Sequence, residues 1–413
     1  MNFKSSIAVV ATVFAFIADA YEVKNVSASS RWPWNGYVYV DYELERGDSP
    51  VGLYTIDVSA TAEDGALKLE GRTIVSGQVA GVGKNRIVWD FGADHPGVIA
   101  RDLKVTVTAT PKIVRTGTEE YCVIDLSGGP NATCYPVRYQ STGPDHVQGA
   151  LGEPCQTTEL WLKRVDAGTF GFRATDSKSS GNFTVKLTKP MYACLFECTQ
   201  QQWYQVMGTW PSKFVNAEFR ASRPVENITH SDILGQVDWP DDKTVADNSF
   251  VGRMRARTGL LAFNLPTEAQ MEYVSRAGST KTALNNHGRH NQSTPADFNV
   301  TTNEGTACVG SYTPNNWGFY DVVGNVAEWT LDTYASEDSA SGGDLSALYA
   351  DEIADPGYVT DPQGPANSTS VSDAHTLRGG GYKSNANATR LISRSSSSSP
   401  ASDAGARFVI TCE

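Results

Sequence analysis

Residues 318–332 read GFYDVVGNVAEWTLD, and these fifteen positions decide how the rest of the chain is understood. They hold Asp321, Glu328 and Asp332, a Gly324-Asn325 pair and an apolar-flanked Trp329. Such a stretch can reverse the chain, grip a metal or carry catalysis. Calcium takes six to eight hard oxygen ligands from carboxylates, backbone carbonyls and water. Asp321 and Glu328 can each supply a carboxylate. Gly324 and Val326 can turn carbonyls inward if the chain curls, which a glycine at 324 permits. On spacing alone, a metal-free Gly-Asn reversal between strands is the simpler reading. Trp329 and Trp317 are expected in the core.

At 413 residues the chain exceeds one ordinary core and predicts two or three domains. Its net charge of −12, with no concentrated Lys/Arg cluster, argues against nucleic acid as a partner. Residues 1–20 have the pattern of an export signal: Lys4, an apolar run from Ile7 to Ile17, then Ala18-Asp19-Ala20. That run is about a dozen residues, short of the roughly 20 that span a bilayer. No later segment approaches that length, so no transmembrane segment is expected, and the mature chain is placed outside the cytoplasm: periplasmic, cell-surface or extracellular. Export permits disulfides, and seven cysteines leave at least one unpaired within the chain. A Cys122–Cys134 bridge is reasonable. Cys194 and Cys198, taken as one strand, lie about 13 Å apart and cannot bond each other; Cys412 is a candidate partner. His287 and His290 fall in a polar loop and are read as surface.

Residues 21–110 alternate with period two. Val38, Val40, Tyr42 and Leu44 share one face; Tyr54, Ile56, Val58 and Ala60 repeat the pattern, as do Leu103, Val105 and Val107. Short strands at this spacing predict an antiparallel sandwich of immunoglobulin type. Residues 111–158, with Cys122, Cys134, Cys155 and Gly128-Gly129-Pro130, read as a linker. From Glu159 onward, strands mix with helices. Thr199 with Gln202 and Thr267 with Gln270 form capping boxes, and Gly208 and Gly278 supply helix stops. Two helices among long irregular strands and loops point to functional or ion-stabilised loops.

Four pieces of this second region resemble the sulfatase-modifying factor family, whose name-giving members are formylglycine-generating enzymes. In order they are CLFECTQQQWYQVMG (194–208), FNLPTEAQMEYVSRAG (263–278), NNWGFYDVVGNVAEWTLD (315–332), and LRGGGYKSN (377–385) with GARFVI (405–410). Order and spacing match across 159–413. The resemblance implies a C-type-lectin-like α+β fold with little regular secondary structure, joined to the all-β N-terminal sandwich. It also implies structural calcium at Asp321, Gly324, Val326 and Glu328, which reverses the simpler reading of the opening stretch.

The resembling enzymes oxidise a substrate cysteine using copper(I) held by two cysteines after an R-G-G-S motif. Here the matching positions are Ser384 and Thr389, and Gly381 replaces the motif serine. Neutral hydroxyls are poor ligands for Cu(I), which favours soft thiolates, and residues 376–411 contain no cysteine. Copper is therefore not expected. The resemblance then implies a catalytically degenerate, calcium-stabilised binding or scaffold module. Arg378, Tyr382, Ser384, Arg390 and Arg394 would floor its cleft for a peptide or glycan. The alternative is a formylglycine-generating-type oxidase acting on a sulfatase cysteine.

Overall fold

In the computed structural model, the described residues are 22–30, 36–45, 54–62, 67–77, 79–81, 83–98, 103–111, 119–145, 147, 151–175, 181–236, 239–240, 244–281, 287–291, 305–335, 345–349, 357–364 and 374–412. The segment expected to be an export signal lies outside them. The chain divides into two compact units: residues to 114 with 131–137 and 254–261, and residues 115–130, 138–253 and 262–413.

The period-two segments of the first unit form eight strands: β1 Glu22–Ser30, β2 Tyr37–Glu45, β3 Tyr54–Ala62, β4 Leu67–Glu70, β5 Ile74–Ser76, β6 Val79–Ala80, β7 Gly83–Asp90 and β8 Lys104–Pro111. A single turn, α1 Phe91–Asp94, follows β7. One sheet runs β1-β2-β7-β5; in the other, β3 pairs with β4, β6 and β8. Every pairing is antiparallel. Val38, Val40, Tyr42 and Leu44 from one sheet share a core with Tyr54, Ile56, Val58 and Ala60 from the other. Alternate positions thus point into one layer, as the side-chain period of a pleated strand requires.

The second unit continues with β9 Tyr121–Asp125, β10 Val137–Gln140, α2 Pro154–Thr157, β11 Glu159–Val165, β12 Gly168–Phe172, β13 Phe183–Leu187 and β14 Met191–Cys194. Helices α3 Gln200–Met207, α4 His230–Leu234, α5 Phe250–Thr258 and α6 Glu268–Arg276 follow, with β15 Phe263–Asn264 before the last. The chain closes with β16 Ala327–Thr333, β17 Tyr358–Thr360, β18 His375–Arg378, β19 Arg394–Ser397, β20 Ala404–Gly405 and β21 Val409–Thr411. The main sheet has the order β10-β9-β11-β14-β21-β15, and a second has the order β19-β18-β16-β20.

Residues 111–158 are more than a linker, because β9 pairs with β11 from Glu159↔Asp125 to Lys163↔Tyr121. Cys122 sits in that ladder. The strand expected to carry both Cys194 and Cys198 ends at Cys194, and Cys194, Cys198 and Cys308 are free thiols. The N–H of Cys412 donates to the Pro190 carbonyl at 2.8 Å, while that of Cys194 donates to Phe408. Four residues of strand therefore separate Cys412 from the position where it would bridge Cys194.

Both capping boxes form as the sequence predicts: Thr199 with Gln202, and Thr267 with Gln270. Gly208 closes α3 at φ +75°, whereas α6 ends one residue early, with Ala277 in the left-handed region at φ +46°. Phe408, beside the last strand, stacks on Phe250 of α5 and Phe263 of β15 at 4.7 and 5.1 Å. This aromatic stack fixes α5 to the sheet despite its weak apolar periodicity.

Candidate functional site

The 318–332 stretch turns sharply and then becomes β16. Gly318, Asp321, Gly324 and Asn325 all have positive φ. A Cβ at Gly324 would lie 2.4 Å from the Arg289 carbonyl, so only glycine fits. Asn325 fixes the turn: its Oδ1 accepts from the Ala307 N–H and its Nδ2 donates to Glu197 at 2.6 Å. Glu197 also accepts from the Val326 N–H. Trp329 is buried and donates to the Ile228 carbonyl; Trp317 is half-buried against Tyr273.

Asp321 and Glu328 are both buried. Asp321 Oδ2 accepts from the Gly310 N–H at 2.7 Å, while its buried Oδ1 has no hydrogen-bond partner. Both oxygens of Glu328 accept from Arg407, at 2.8 and 2.9 Å. Arg407 also donates to the carbonyls of Cys194, Tyr320 and Asp321. Burial, then the charges of Asp321 and Glu328, pushes the Glu197 carboxyl well above its ordinary range. Burial likewise raises Glu328 against the pull of Arg407. Glu197 and Arg407 were not singled out from the sequence, although the E-C-T and G-A-R-F pieces contain them. Among the described residues, no three His, Cys, Asp or Glu side chains converge as a ready-made metal cage.

The five residues expected to floor a cleft separate into groups. Arg378 is buried beneath it, donating to Glu272 at 2.5 Å and to the Leu391 and Ser393 carbonyls. Tyr382 lies elsewhere, edge-on to Phe214 at 5.3 Å. Ser384, Arg390 and Arg394 do share one cavity, of about 310 Å³. Arg394 reaches it from β19, held by a two-pronged ion pair to Glu268. Burial alone would lower Arg394, but the Glu268 carboxylate outweighs it and holds the guanidinium charged. The Ser393–Pro400 serine run supplies β19, which pairs with β18.

At the two positions expected to replace cysteines, Ser384 Oγ accepts from the Gly381 N–H at 3.1 Å. Thr389 is buried and its hydroxyl lies 3.3–3.4 Å from the Asn385 and Ala386 carbonyls. Both hydroxyls are thus used in shaping their own loop. Sequence reasoning did not find Arg173, which also lines the cavity; it lies in the turn after β12, far along the chain from every motif.

Residues 165–412 match the family model for the sulfatase-modifying factor enzyme 1-like domain. A chaperone protein, LppX, of Paenibacillus barcinonensis is 28% identical over 240 residues, 48% of this chain and 82% of its own. The formylglycine-generating enzyme of Thermomonospora curvata is 28% identical over 44% of this chain and 52% of its own; that of Bos taurus is 36% identical over 18% and 24%. The chain thus spans about half the length of the first of these enzymes and a quarter of the second. Among solved structures, Treponema denticola variable protein 1 aligns with 64% of this chain and 98% of its own, at 21% identity and a TM-score of 0.44.

Proposed function

Because this chain belongs to the sulfatase-modifying factor family through residues 165–412, we propose that it is an exported binding or scaffold module of that family which has lost the copper chemistry. The observation that carries this reading is the pair Ser384 and Thr389. Their hydroxyls occupy the thiolate positions and are hydrogen-bonded within the loop. Hard neutral oxygens do not hold Cu(I). The name of the Paenibacillus relative, a chaperone, accords with binding without turnover. The ligand would be a peptide or glycan, with a sulfatase as one source of the peptide.

This reading carries an immunoglobulin-like N-terminal sandwich over 21–110 and a C-type-lectin-like α+β body over 159–413. It also carries structural calcium at Asp321, Gly324, Val326 and Glu328. One feature supports the ion: the buried Oδ1 of Asp321, which has no hydrogen-bond partner. All the donors are hard oxygens, as calcium prefers. The carboxylates of Asp321 and Glu328 and the carbonyls of Gly324 and Val326 would hold it, with Glu328 shared with Arg407. Its contribution would be to rigidity, stabilising the turn that leads into β16.

Copper affinity tests the proposal. The purified protein is titrated against a chromophoric Cu(I) chelator under reducing, oxygen-free conditions. The expected result is no withdrawal of copper by the wild type, and withdrawal of about one equivalent by the Ser384→Cys/Thr389→Cys double variant. Tight stoichiometric Cu(I) binding by the wild type would favour the formylglycine-generating alternative.

A further inference from the structure

The first unit holds a cavity of about 810 Å³, lined by its sandwich strands and by the 131–137 segment of the same unit. That volume is typical of a small-ligand pocket. Strands β2 and β7 supply much of the wall, in register from Asp41↔Arg86 through Tyr42↔Asn85 to Glu43↔Lys84. The acidic and basic side chains of the lining are equal in number, Asp41 and Glu43 against Lys84 and Arg86. Asp41 and Arg86 neutralise one another through a two-pronged ion pair at 2.6 and 2.8 Å. An ion of either sign would therefore meet as many like charges as opposite ones.

The remaining polar groups offer both donors and acceptors. Glu43 accepts from the Asn25 side chain at 2.9 Å through one of its two oxygens. Asn25 comes from an irregularity in β1, where the register shifts between Lys24 and Ser27 and Asn25 takes φ +53°. Irregularities of this kind re-aim a side chain and are frequent beside sites. Asn85 Nδ2 donates to the Gly81 and Gly83 carbonyls, each at 2.8 Å, so its amide oxygen is the group it can present to a ligand.

Tyr42 is the residue that the core does not explain. It is 2% exposed, and its buried hydroxyl makes no hydrogen bond. Buried hydroxyls are nearly always partnered, because leaving one unsatisfied is costly. Val38, Val40 and Leu44 fill the same face of β2 without any such cost. Burial, then the charge of Cys134, raises the Tyr42 hydroxyl above its ordinary range, so it stays protonated and can both donate and accept.

We infer that this cavity binds a neutral polyhydroxylated ligand, a sugar ring of a glycan, with the Tyr42 hydroxyl as the buried anchor and Glu43, Lys84, Asn85 and Thr133 as polar contacts around it. A sugar hydroxyl donates and accepts at once. It thus suits a lining that mixes carboxylate and amide acceptors with ammonium and hydroxyl donors and carries no net charge. The inference stands apart from the family reading, which concerns residues 165–412.

The test uses the full-length protein and a panel of neutral mono- and disaccharides built from glucose, galactose, mannose, xylose and fucose. Glucuronate and glucosamine serve as the anionic and cationic comparators. Binding is followed by saturation-transfer NMR and by the rise in melting temperature that a bound ligand produces. The expected result is saturable binding of at least one neutral sugar, tighter than that of either comparator. Tyr42→Phe keeps the ring and removes only the hydroxyl. It should weaken that sugar by roughly twofold to tenfold, as loss of one uncharged hydrogen bond does. It should also raise the melting temperature of the unliganded protein, because an unsatisfied polar atom is gone. Lys84→Ala, at an exposed position, should weaken the sugar and leave the unliganded melting temperature unchanged. Sugar affinity that is unchanged in both variants would overturn the inference, whatever happens to the melting temperature. A panel with no saturable neutral sugar would overturn it too, and so would a preference for glucuronate or glucosamine, which would mark an ionic ligand instead.

Discussion

Asp332→Asn should make the protein less sensitive to rising pH, and more stable than the wild type in alkaline solution. Asp332 is buried at the end of β16, and its Oδ2 accepts from the Glu268 N–H at 2.6 Å. Burial, then the neighbouring Glu268 charge, pushes its carboxyl from 3.8 up to about 8, against the pull of Arg394. A carboxyl raised in the folded state keeps a proton there that the unfolded chain has lost. Its contribution to stability is therefore complete below pH 3.8 and falls as pH rises towards 8. At 1.36 kcal/mol per tenfold change, the full swing has a ceiling of about 6 kcal/mol. Asparagine keeps the acceptor for Glu268 and cannot ionise. Even a third of that ceiling, about 2 kcal/mol, moves the melting temperature of a unit this size by roughly 4–8 °C. Thermal melts of both proteins from pH 5 to pH 9 at fixed salt supply the assay. The melting temperature of the variant minus that of the wild type should climb across the range and become positive. A difference that is flat, or that falls as pH rises, would mean that Asp332 is ionised and bound to Arg394.

Calcium and capping give two further expectations. EDTA should lower the melting temperature and excess calcium restore it, by ligand linkage; Asp321→Ala and Glu328→Ala should abolish that response, and an EDTA effect unchanged in both would mean the ion is held elsewhere. Thr199→Ala removes the acceptor for the Gln202 N–H and the donor to the Gln156 carbonyl. Chemical denaturation should register a loss of about 1–2 kcal/mol, whereas a loss below about 0.3 kcal/mol would show that the cap contributes little.

The local signals were the legible ones. Val38, Val40, Tyr42 and Leu44 alternate in the sequence and are buried in the structure, because strand geometry alone sends every second side chain inward. Thr199 with Gln202 and Thr267 with Gln270 marked helix starts because capping acts within one turn. Long-range pairing was not legible. Nothing in YCVID indicates that it lies between β10 and β11, and that adjacency makes a strand of a segment read as linker. Helix α5, FVGRMRART, shows little apolar periodicity and depends on Phe250 stacking against Trp203 and Phe408. At the candidate site, Ser384, Arg390 and Arg394, named together from the family motifs, line one cavity. Arg378, expected on the cleft floor from the same motifs, is buried because Glu268 and Glu272, more than a hundred residues earlier, pair with it. Glu197 and Arg407 escaped for the same reason: Glu197 is placed by Asn325 and Val326, and Arg407 by Glu328, all distant along the chain.

Turnover separates binding from catalysis in this protein. The purified protein is charged with Cu(I), supplied with oxygen and a sulfatase-type cysteine peptide, and the peptide mass is followed over time. The expected result is an unchanged cysteine peptide, even where the peptide binds. Conversion of that cysteine to formylglycine, abolished by a copper chelator, would contradict it.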